Sequence, residues 1–277
     1  MSERSKTIET GRNLPAALAV GLGLGAIVIV TLLYLKIAFL VFVALMVGGA
    51  LWELTHVLRS RQIMLPAIPI ALGGAVMYGL AYWHGALWAE GALGLSFFLV
   101  LAWRLPGGSH GYVRDVTAGI FALIYLWGMG TFLSLMLAQP NGSHRALVFL
   151  ILAVCSDTGA YFAGILFGRH LMAPTISPKK TWEGFAGAVI ACLAAGALGM
   201  VYLLDSKLWY GLVLGLAAAG AATLGDLVES MIKRDLDTKD MSSILPGHGG
   251  VLDRIDAMLM VAPVAWLLMT IFLYHSG

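Results

Sequence analysis

The residues best suited to chemistry lie between Asp226 and Asp256, a segment that concentrates acids, bases and glycines in an otherwise apolar chain. Asp226, Ser230 and Lys233 follow one another at intervals of four and three residues, so on a helix they share one face. Arg234 adds a second cation beside Lys233. Such a face can bind a phosphate group next to a carboxylate.

A glycine-rich loop, Pro246–Gly250, and a second acidic cluster follow that face. The loop can bring backbone N–H groups close to an anion, and Asp253 and Asp256 begin the next apolar run. Carboxylates from two helices, Asp226 and Asp253, can together hold Mg²⁺, which prefers oxygen ligands. Nucleotidyl transfer needs mainly such positioning and charge neutralisation. The predicted phosphate contacts here are Ser230, Lys233, Arg234, Lys239, His248, Gly249, Gly250 and Arg254.

A charged loop that merely follows the positive-inside rule is the simplest alternative for this segment. It would explain the cations. It would not explain seven Asp and Glu residues between two apolar runs. We therefore interpret the segment as a candidate site.

A second polar cluster lies earlier in the chain. Asp157 falls inside an apolar run, where a charged side chain costs roughly 2.5–3.5 kcal/mol. It needs a polar partner, a water-filled cavity or a bound cation, and we predict that it assists the metal site. A neighbouring helix that satisfies it is the alternative. Lys179 and Lys180 are interpreted either as phosphate contacts or as anchors at the lipid headgroups.

The composition identifies the kind of protein that must position these groups. The chain has 277 residues, of which 60% are hydrophobic and 12% charged, against about 25% charged in soluble domains. This excludes a soluble enzyme, a disordered chain and a nucleic-acid binder. Cys155 and Cys192 lie in apolar runs without metal-ligand spacing, so we expect a reduced, buried pair.

The pattern predicts an all-α polytopic membrane protein with about nine transmembrane helices. The first apolar run is too long for a signal peptide and is interpreted as a retained span. The predicted spans are Leu14–Leu35, Ile37–Trp52, Ile63–Trp83, Ala86–Trp103, Val116–Ala138, Ala146–Phe167, Phe185–Leu204, Leu208–Leu224 and Ala257–Tyr274.

Charge placement predicts the orientation of these spans. With a cytoplasmic N-terminus, all but three of the 17 Lys and Arg residues fall on the inner side, the exceptions being Lys36, Arg145 and Lys207. The candidate site then faces the cytoplasm. We predict a single transmembrane domain over residues 1–277, with N-terminal spans over about 14–138 and catalytic spans with inner loops over about 146–277.

The stretch from Ser230 to Asp256 reads SMIKRDLDTKDMSSILPGHGGVLDRID and resembles the signature of the phosphatidate cytidylyltransferases, also called CDP-diacylglycerol synthases. Residues 156–161 (SDTGAY) and 177–184 (SPKKTWEG) resemble a second motif region of that family. The match covers roughly the last 120 residues, and it departs from the signature at no position.

The resemblance implies that CTP and phosphatidate react to give CDP-diacylglycerol and pyrophosphate, with Mg²⁺ required and K⁺ as a candidate second cation. The lipid phosphate would attack the α-phosphorus of CTP while Asp226 and Asp253 hold Mg²⁺. Asp256 and Asp157 are further candidate ligands. The resemblance also implies a homodimer. We further predict a bacterial inner membrane as the location, with membrane lipid around the protein and no nucleic-acid partner.

Two other functions are compatible with parts of the pattern. A CTP-dependent lipid kinase of the polyprenol type would share the architecture and the nucleotide, but would transfer the γ-phosphoryl group and release CDP. An ion-coupled transporter would use Asp157 as its intramembrane coupling residue. Transporters often pair broken helices in related halves, whereas the polar residues here gather in one half.

Overall fold

The computed structural model describes residues 14–238, 240–242 and 249–274, and these are almost entirely helical. Its elements in chain order are α1 (Leu14–Tyr34), α2 (Lys36–Ser60), α3 (Ala67–His84), α4 (Ala86–Arg104), a 3₁₀ turn (Leu105–Gly107), α5 (Tyr112–Ala122), a π-helical turn (Leu123–Gly128), α6 (Met129–Ala138), α7 (Gly142–Phe167), β1 (Leu171–Ala173), β2 (Ser177–Thr181), α8 (Trp182–Tyr202), α9 (Leu208–Asp235) and α10 (Leu252–Tyr274).

Every predicted span overlaps a helix, and the fifth corresponds to α5, the π-helical turn and α6 together. α1 contributes the shorter apolar segment Gly25–Tyr34, and α3 is a helix of 18 residues. The chain is therefore an all-α multi-pass membrane protein. Within the described ranges, seven helical segments are long and apolar enough to cross a membrane: Lys36–Ser60, Ala86–Gly107, Tyr112–Ala138, Gly142–Phe167, Trp182–Tyr202, Leu208–Asp235 and Leu252–Leu273.

Most helices extend beyond their predicted limits, and three of the extensions carry acids of the candidate site. α2 continues past Trp52 to Ser60, and α9 continues past Leu224 to Asp235. α10 begins at Leu252 rather than at Ala257. Helical hydrogen bonding tolerates polar side chains once the helix leaves the hydrocarbon, so the apolar run alone underestimates helix length.

Helices α8, α9 and α10 pack with their backbones in contact. A Cβ at Gly211 of α9 would overlap the Gly196 carbonyl of α8, and one at Gly215 would overlap the Cys192 carbonyl. A Cβ at Gly225 would lie 2.7 Å from the Asp256 carbonyl oxygen of α10. Small residues at these crossings allow the close approach that membrane helices use for association.

One end of the bundle gathers the polar connections. Arg61, which follows α2, donates through Nη2 to the Leu236 carbonyl beyond α9 at 2.7 Å. Arg234 of α9 donates through Nε to the Ile176 carbonyl in the α7–α8 connection at 3.3 Å. The α2–α3, α7–α8 and α9–α10 connections, which the charge pattern assigns to one side of the membrane, therefore lie together.

The α4–α5 connection lies at the same polar end of the bundle. The buried carboxylate of Asp115, at the start of α5, holds it there. Its Oδ1 accepts from the Met64 backbone N–H at 3.1 Å, and its Oδ2 accepts from Arg104 Nε at 3.0 Å. The side chain is 1% exposed. An ionised carboxylate can be buried in this way because charge-assisted hydrogen bonds offset its loss of hydration.

Candidate active site

The centre of the site is an ion-pair network between α9 and α10. Lys233 Nζ lies 2.5 Å from Glu229 Oε2, one turn earlier on α9, and 2.9 Å from Asp253 Oδ1 in the first turn of α10. Glu229 is buried and Asp253 is 8% exposed at its side chain. The pairing fixes the Lys233 ammonium at the junction of the two helices.

Asp253 also holds the loop that precedes α10. Its Oδ2 accepts the Gly250 backbone N–H at 2.7 Å and the Met241 N–H at 3.2 Å. Gly249 has a φ of +80°, which glycine adopts without the steric cost other residues pay. A Cβ at Gly250 would come within 3.0 Å of the Asp253 carboxylate. Both glycines are therefore needed for the loop to fold back onto Asp253.

Glu53 of α2 is a site residue that the sequence analysis did not identify. It is fully buried, and its Oε1 accepts from the Val251 N–H at 2.7 Å while its Oε2 accepts from the Leu252 N–H at 2.9 Å. Ser242 Oγ donates to the same carboxylate at 2.5 Å. A carboxylate at a helix N-terminus is favoured by the helix dipole. The available signal was an acid one residue after the predicted second span.

These contacts bear on the predicted role of the glycine-rich loop in phosphate binding. We predicted that its N–H groups face a phosphate, but those of Gly250, Val251 and Leu252 donate to Asp253 and Glu53. Protein carboxylates thus take the anion positions at the α10 N-terminus. These three N–H groups are therefore already engaged within the protein, and the side-chain cations near the loop are the stronger candidates for phosphate binding.

A second ion pair joins the hairpin formed by β1 and β2 to α9. Lys180 Nζ donates to Asp226 Oδ2, and both side chains are partly exposed. The hairpin, which the sequence analysis did not predict, pairs Leu171 with Thr181 and places Lys180 on β2. Thr181 then caps α8 by accepting the Gly184 N–H at 3.1 Å. Hairpin and cap together direct Lys180 toward α9.

Two further carboxylates, on two other helices, interact electrostatically with Asp226 of this pair. The charges of Asp157 on α7, Asp226 on α9 and Asp256 on α10 act on one another, and Lys180 and Arg254 act on Asp157. Asp256 is 7% exposed. Asp157, Asp226 and Asp256 therefore interact electrostatically, whereas Asp253 pairs with Lys233, and the predicted metal-ligand roles of the four aspartates stay predictions.

The π-helical turn brings a further residue toward the acids. Tyr125 is buried, and the charges of Asp226, Glu229 and Asp256 act on its side chain. Its hydroxyl has no hydrogen-bond partner among the described residues, and neither has Glu229 Oε1. π-Helical turns occur frequently at functional sites. The sequence carried no signal for this turn.

The acid cluster suits Mg²⁺ in its donor chemistry. In the described parts of the chain, no three His, Cys, Asp or Glu side chains converge closely enough to enclose a metal ion. Mg²⁺ usually takes only one or two carboxylates and completes its shell with water and substrate phosphates. Asp226 and Asp256 fit that pattern, because the close crossing at Gly225 brings their helices together and Asp226 is partly exposed.

The remaining predicted residues divide into two groups. Ser230 is half-buried on α9, Arg234 and Lys179 are exposed at the same polar end, and Arg254 follows Asp253 on α10. These positions fit the predicted phosphate contacts. Lys239 and His248 lie outside the described residues, so their predicted roles stay predictions.

Comparison with known proteins identifies the family. The profile described as "Cytidylyltransferase family" matches residues 16–272. A protein of Mycobacterium bovis named phosphatidate cytidylyltransferase is 36% identical over 96% of this chain and 92% of its own length. A protein of the same name from Staphylococcus saprophyticus is 33% identical over 79% of this chain and 85% of its own length. The chain belongs to the cytidylyltransferase family.

Proposed function

We propose that this protein catalyses the reaction for which its relatives are named, the transfer of a cytidylyl group from CTP to phosphatidate. The observation that carries the proposal is the pairing of acids on two membrane helices, Asp226 and Glu229 of α9 and Asp253 of α10, with Lys180 and Lys233 at the polar end of the bundle. A nucleotide reaches such a site from water, and a lipid phosphate reaches it from the bilayer.

The transfer needs no protein nucleophile. An oxygen of the phosphatidate phosphate forms a bond to the α-phosphorus of CTP while the bond between that phosphorus and the α–β bridging oxygen breaks. Pyrophosphate leaves with the electron pair, and CDP-diacylglycerol remains in the membrane. Lys180, Lys233, Arg234 and Arg254 bind the phosphate oxygens and align the reacting groups. Lys179 is a further contact, and Lys239, outside the described residues, stays a contact predicted from the sequence.

Asp226 and Asp256 would hold Mg²⁺, with Asp157 beside them. Asp253 serves instead to fix Lys233 and the loop, because its two oxygens already accept from Lys233 and from backbone N–H groups. When bound, Mg²⁺ supplies positive charge that neutralises phosphate oxygens. K⁺ as a second cation stays a prediction without an assigned ligand.

The proposal includes a place in the cell and an assembly. The concentration of Lys and Arg at the polar end favours a cytoplasmic site in a bacterial inner membrane. A maleimide that cannot cross the membrane, applied to cysteines introduced at Arg169 and Lys207, would test the orientation. Only the Lys207 position should react in intact cells. The homodimer is tested by cross-linking in native membranes.

The decisive experiment distinguishes cytidylyl transfer from its rivals. Purified protein in mixed micelles is given phosphatidate, Mg²⁺ and CTP labelled at the α-phosphorus. We expect label in the lipid phase only when phosphatidate is present, with release of pyrophosphate. Release of CDP and transfer of the γ-phosphorus to a polyprenol would instead identify a kinase. Neither transfer, from folded protein, would contradict the proposal.

A further inference from the structure

An apolar cavity of about 450 Å³ lies beside the acid cluster and is formed by α1, α2, α6, α7 and α10. Its volume falls within the range of roughly 300–1,000 Å³ typical of small-molecule sites. Apart from Arg254, the described residues that line it are glycines, aliphatic and aromatic side chains, methionines and Cys155. An occupant must therefore be almost wholly apolar, with one anionic end.

Arg254 connects the cavity to the site. It lines the cavity, and its charge also acts on Asp157 in the acid cluster. The guanidinium group matches the geometry of a phosphate better than other cationic side chains do. From Arg254 to Ala262, which also lines the cavity, α10 rises about 12 Å away from the polar end. The polar end of an occupant thus faces the acids.

We propose that this cavity holds an acyl chain of the lipid substrate, with the lipid phosphate at Arg254. The inference rests on the proposed function and extends it, because it gives the N-terminal helices α1 and α2 a role in selecting the lipid. A Cβ at Gly130 of α6 would lie 3.5 Å from Val47 Cγ2 of α2, and both residues line the cavity. A larger side chain at Gly130 would therefore narrow the cavity beside Val47.

The first test enlarges Gly130. The Gly130→Leu variant adds a large side chain to the cavity lining, whereas Gly220→Leu makes the same change at an exposed position of α9 where a Cβ meets nothing within 4 Å. For each protein, kcat/KM is measured with dioleoyl and with dioctanoyl phosphatidate. We expect Gly130→Leu to lower the dioleoyl-to-dioctanoyl ratio about tenfold, which corresponds to ~1.4 kcal/mol. Gly220→Leu should keep the wild-type ratio.

An unchanged ratio in active Gly130→Leu protein would overturn the inference and leave the proposed function intact. Wild-type protein that labels neither lipid would contradict the proposed function itself. These two failures are therefore distinguishable in one set of assays.

The second test does not depend on activity or on the folding of Gly130→Leu. Cys155 lines the cavity and is partly exposed, whereas Cys192 is fully buried. In a Cys192→Ala protein, the rate at which an alkyl maleimide modifies Cys155 is measured by mass spectrometry. We expect dioleoyl phosphatidate to slow modification about tenfold and dioleoyl phosphatidylcholine to leave it unchanged. Equal protection by both lipids would show ordinary bilayer lipid in the cavity and would overturn the inference.

Discussion

The C-terminal helices and the N-terminal helices of this bundle pack in different ways. A Cβ at Gly159 of α7 would lie 2.6 Å from the Gly187 carbonyl oxygen of α8, so these backbones touch. In α3, a Cβ at Gly73 would instead contact the Ser96 side chain, and one at Gly74 would contact the Trp127 ring. Backbone contact fixes the separation of two helices, whereas a side-chain contact can change with a rotamer.

The difference divides the bundle into two parts. In the C-terminal helices, which we call the rigid half, backbone contacts fix the helix separations, whereas the N-terminal helices, which we call the adaptable half, can adjust. The acids and lysines of the site are carried mainly by α7 to α10 and the hairpin, where backbone contacts hold the distances that phosphate chemistry requires. Helices α1, α2 and α6 form the apolar cavity together with one face each of α7 and α10, and in our proposal different hydrocarbon chains fit there. Glu53 is the exception, since it belongs to α2 and binds the start of α10.

The largest effect should come from the rigid half. Asp226→Asn removes a charge that pairs with Lys180 and, in our proposal, holds Mg²⁺. We expect cytidylyl transfer to fall by about 10²–10³-fold, the size seen when one electrostatic catalytic group is lost. The control is Asp235→Asn, an exposed acid at the end of the same helix. Transfer by Asp226→Asn within twofold of wild type would refute the metal assignment.

Glu53→Gln tests whether the adaptable half contributes to positioning. Glutamine keeps the volume but loses the charge and one of the two acceptor oxygens that bind Val251 and Leu252. An unsatisfied buried group costs about 1–3 kcal/mol, so we expect a lower unfolding temperature in detergent and a kcat about tenfold lower. Because Glu53 acts through the loop, KM for CTP should change less than kcat.

The matched control for Glu53 is Glu90→Gln, which changes an exposed acid of α4. This variant should keep the wild-type unfolding temperature and kcat. If Glu53→Gln behaves in the same way, the loop before α10 does not depend on α2, and the two halves are functionally independent.

The sequence predicted those parts of the site that lie close together along the chain. Asp226, Ser230 and Lys233 share a helix, as their spacing indicated, and α9 carries them without interruption. Local periodicity fixes such relations before any tertiary contact is known. The pairing of Lys233 with Asp253 was not predicted, because the sequence analysis assigned Lys233 to phosphate and Asp253 to the metal, and residues 236–251 separate the two helices.

Contacts between distant segments could not be predicted in this way. Glu53 binds residues almost two hundred positions later, and a single acid after an apolar run does not indicate its partner. The π-helical turn that carries Tyr125 depends on packing rather than on any residue pattern. The hairpin was missed because SPKKT has a proline and two lysines, which are poor strand formers.

Gly225→Ala tests the backbone contact in the rigid half directly. The added Cβ would meet the Asp256 carbonyl oxygen at 2.7 Å and Ala257 Cα at 2.9 Å, so α9 and α10 must separate. Overpacking of this kind costs about 1–3 kcal/mol, and we expect severalfold lower transfer because Asp226 moves from Asp256. Gly220→Ala, on the same helix with open space around it, should retain full activity and unfold no earlier than wild type.

The smallest effect is expected where the two halves meet in water. Arg61 binds Asp237 at 2.7 Å, and the two side chains are 39% and 79% exposed. Exposed ion pairs contribute about 0–1 kcal/mol and are weakened by salt. Arg61→Ala should therefore lower the unfolding temperature slightly at low salt and leave transfer within about twofold of wild type. A tenfold loss of transfer would mean that this surface contact, rather than Glu53, holds α2 against the site, and the division between a rigid catalytic half and an adaptable lipid-facing half would have to be redrawn around the polar end.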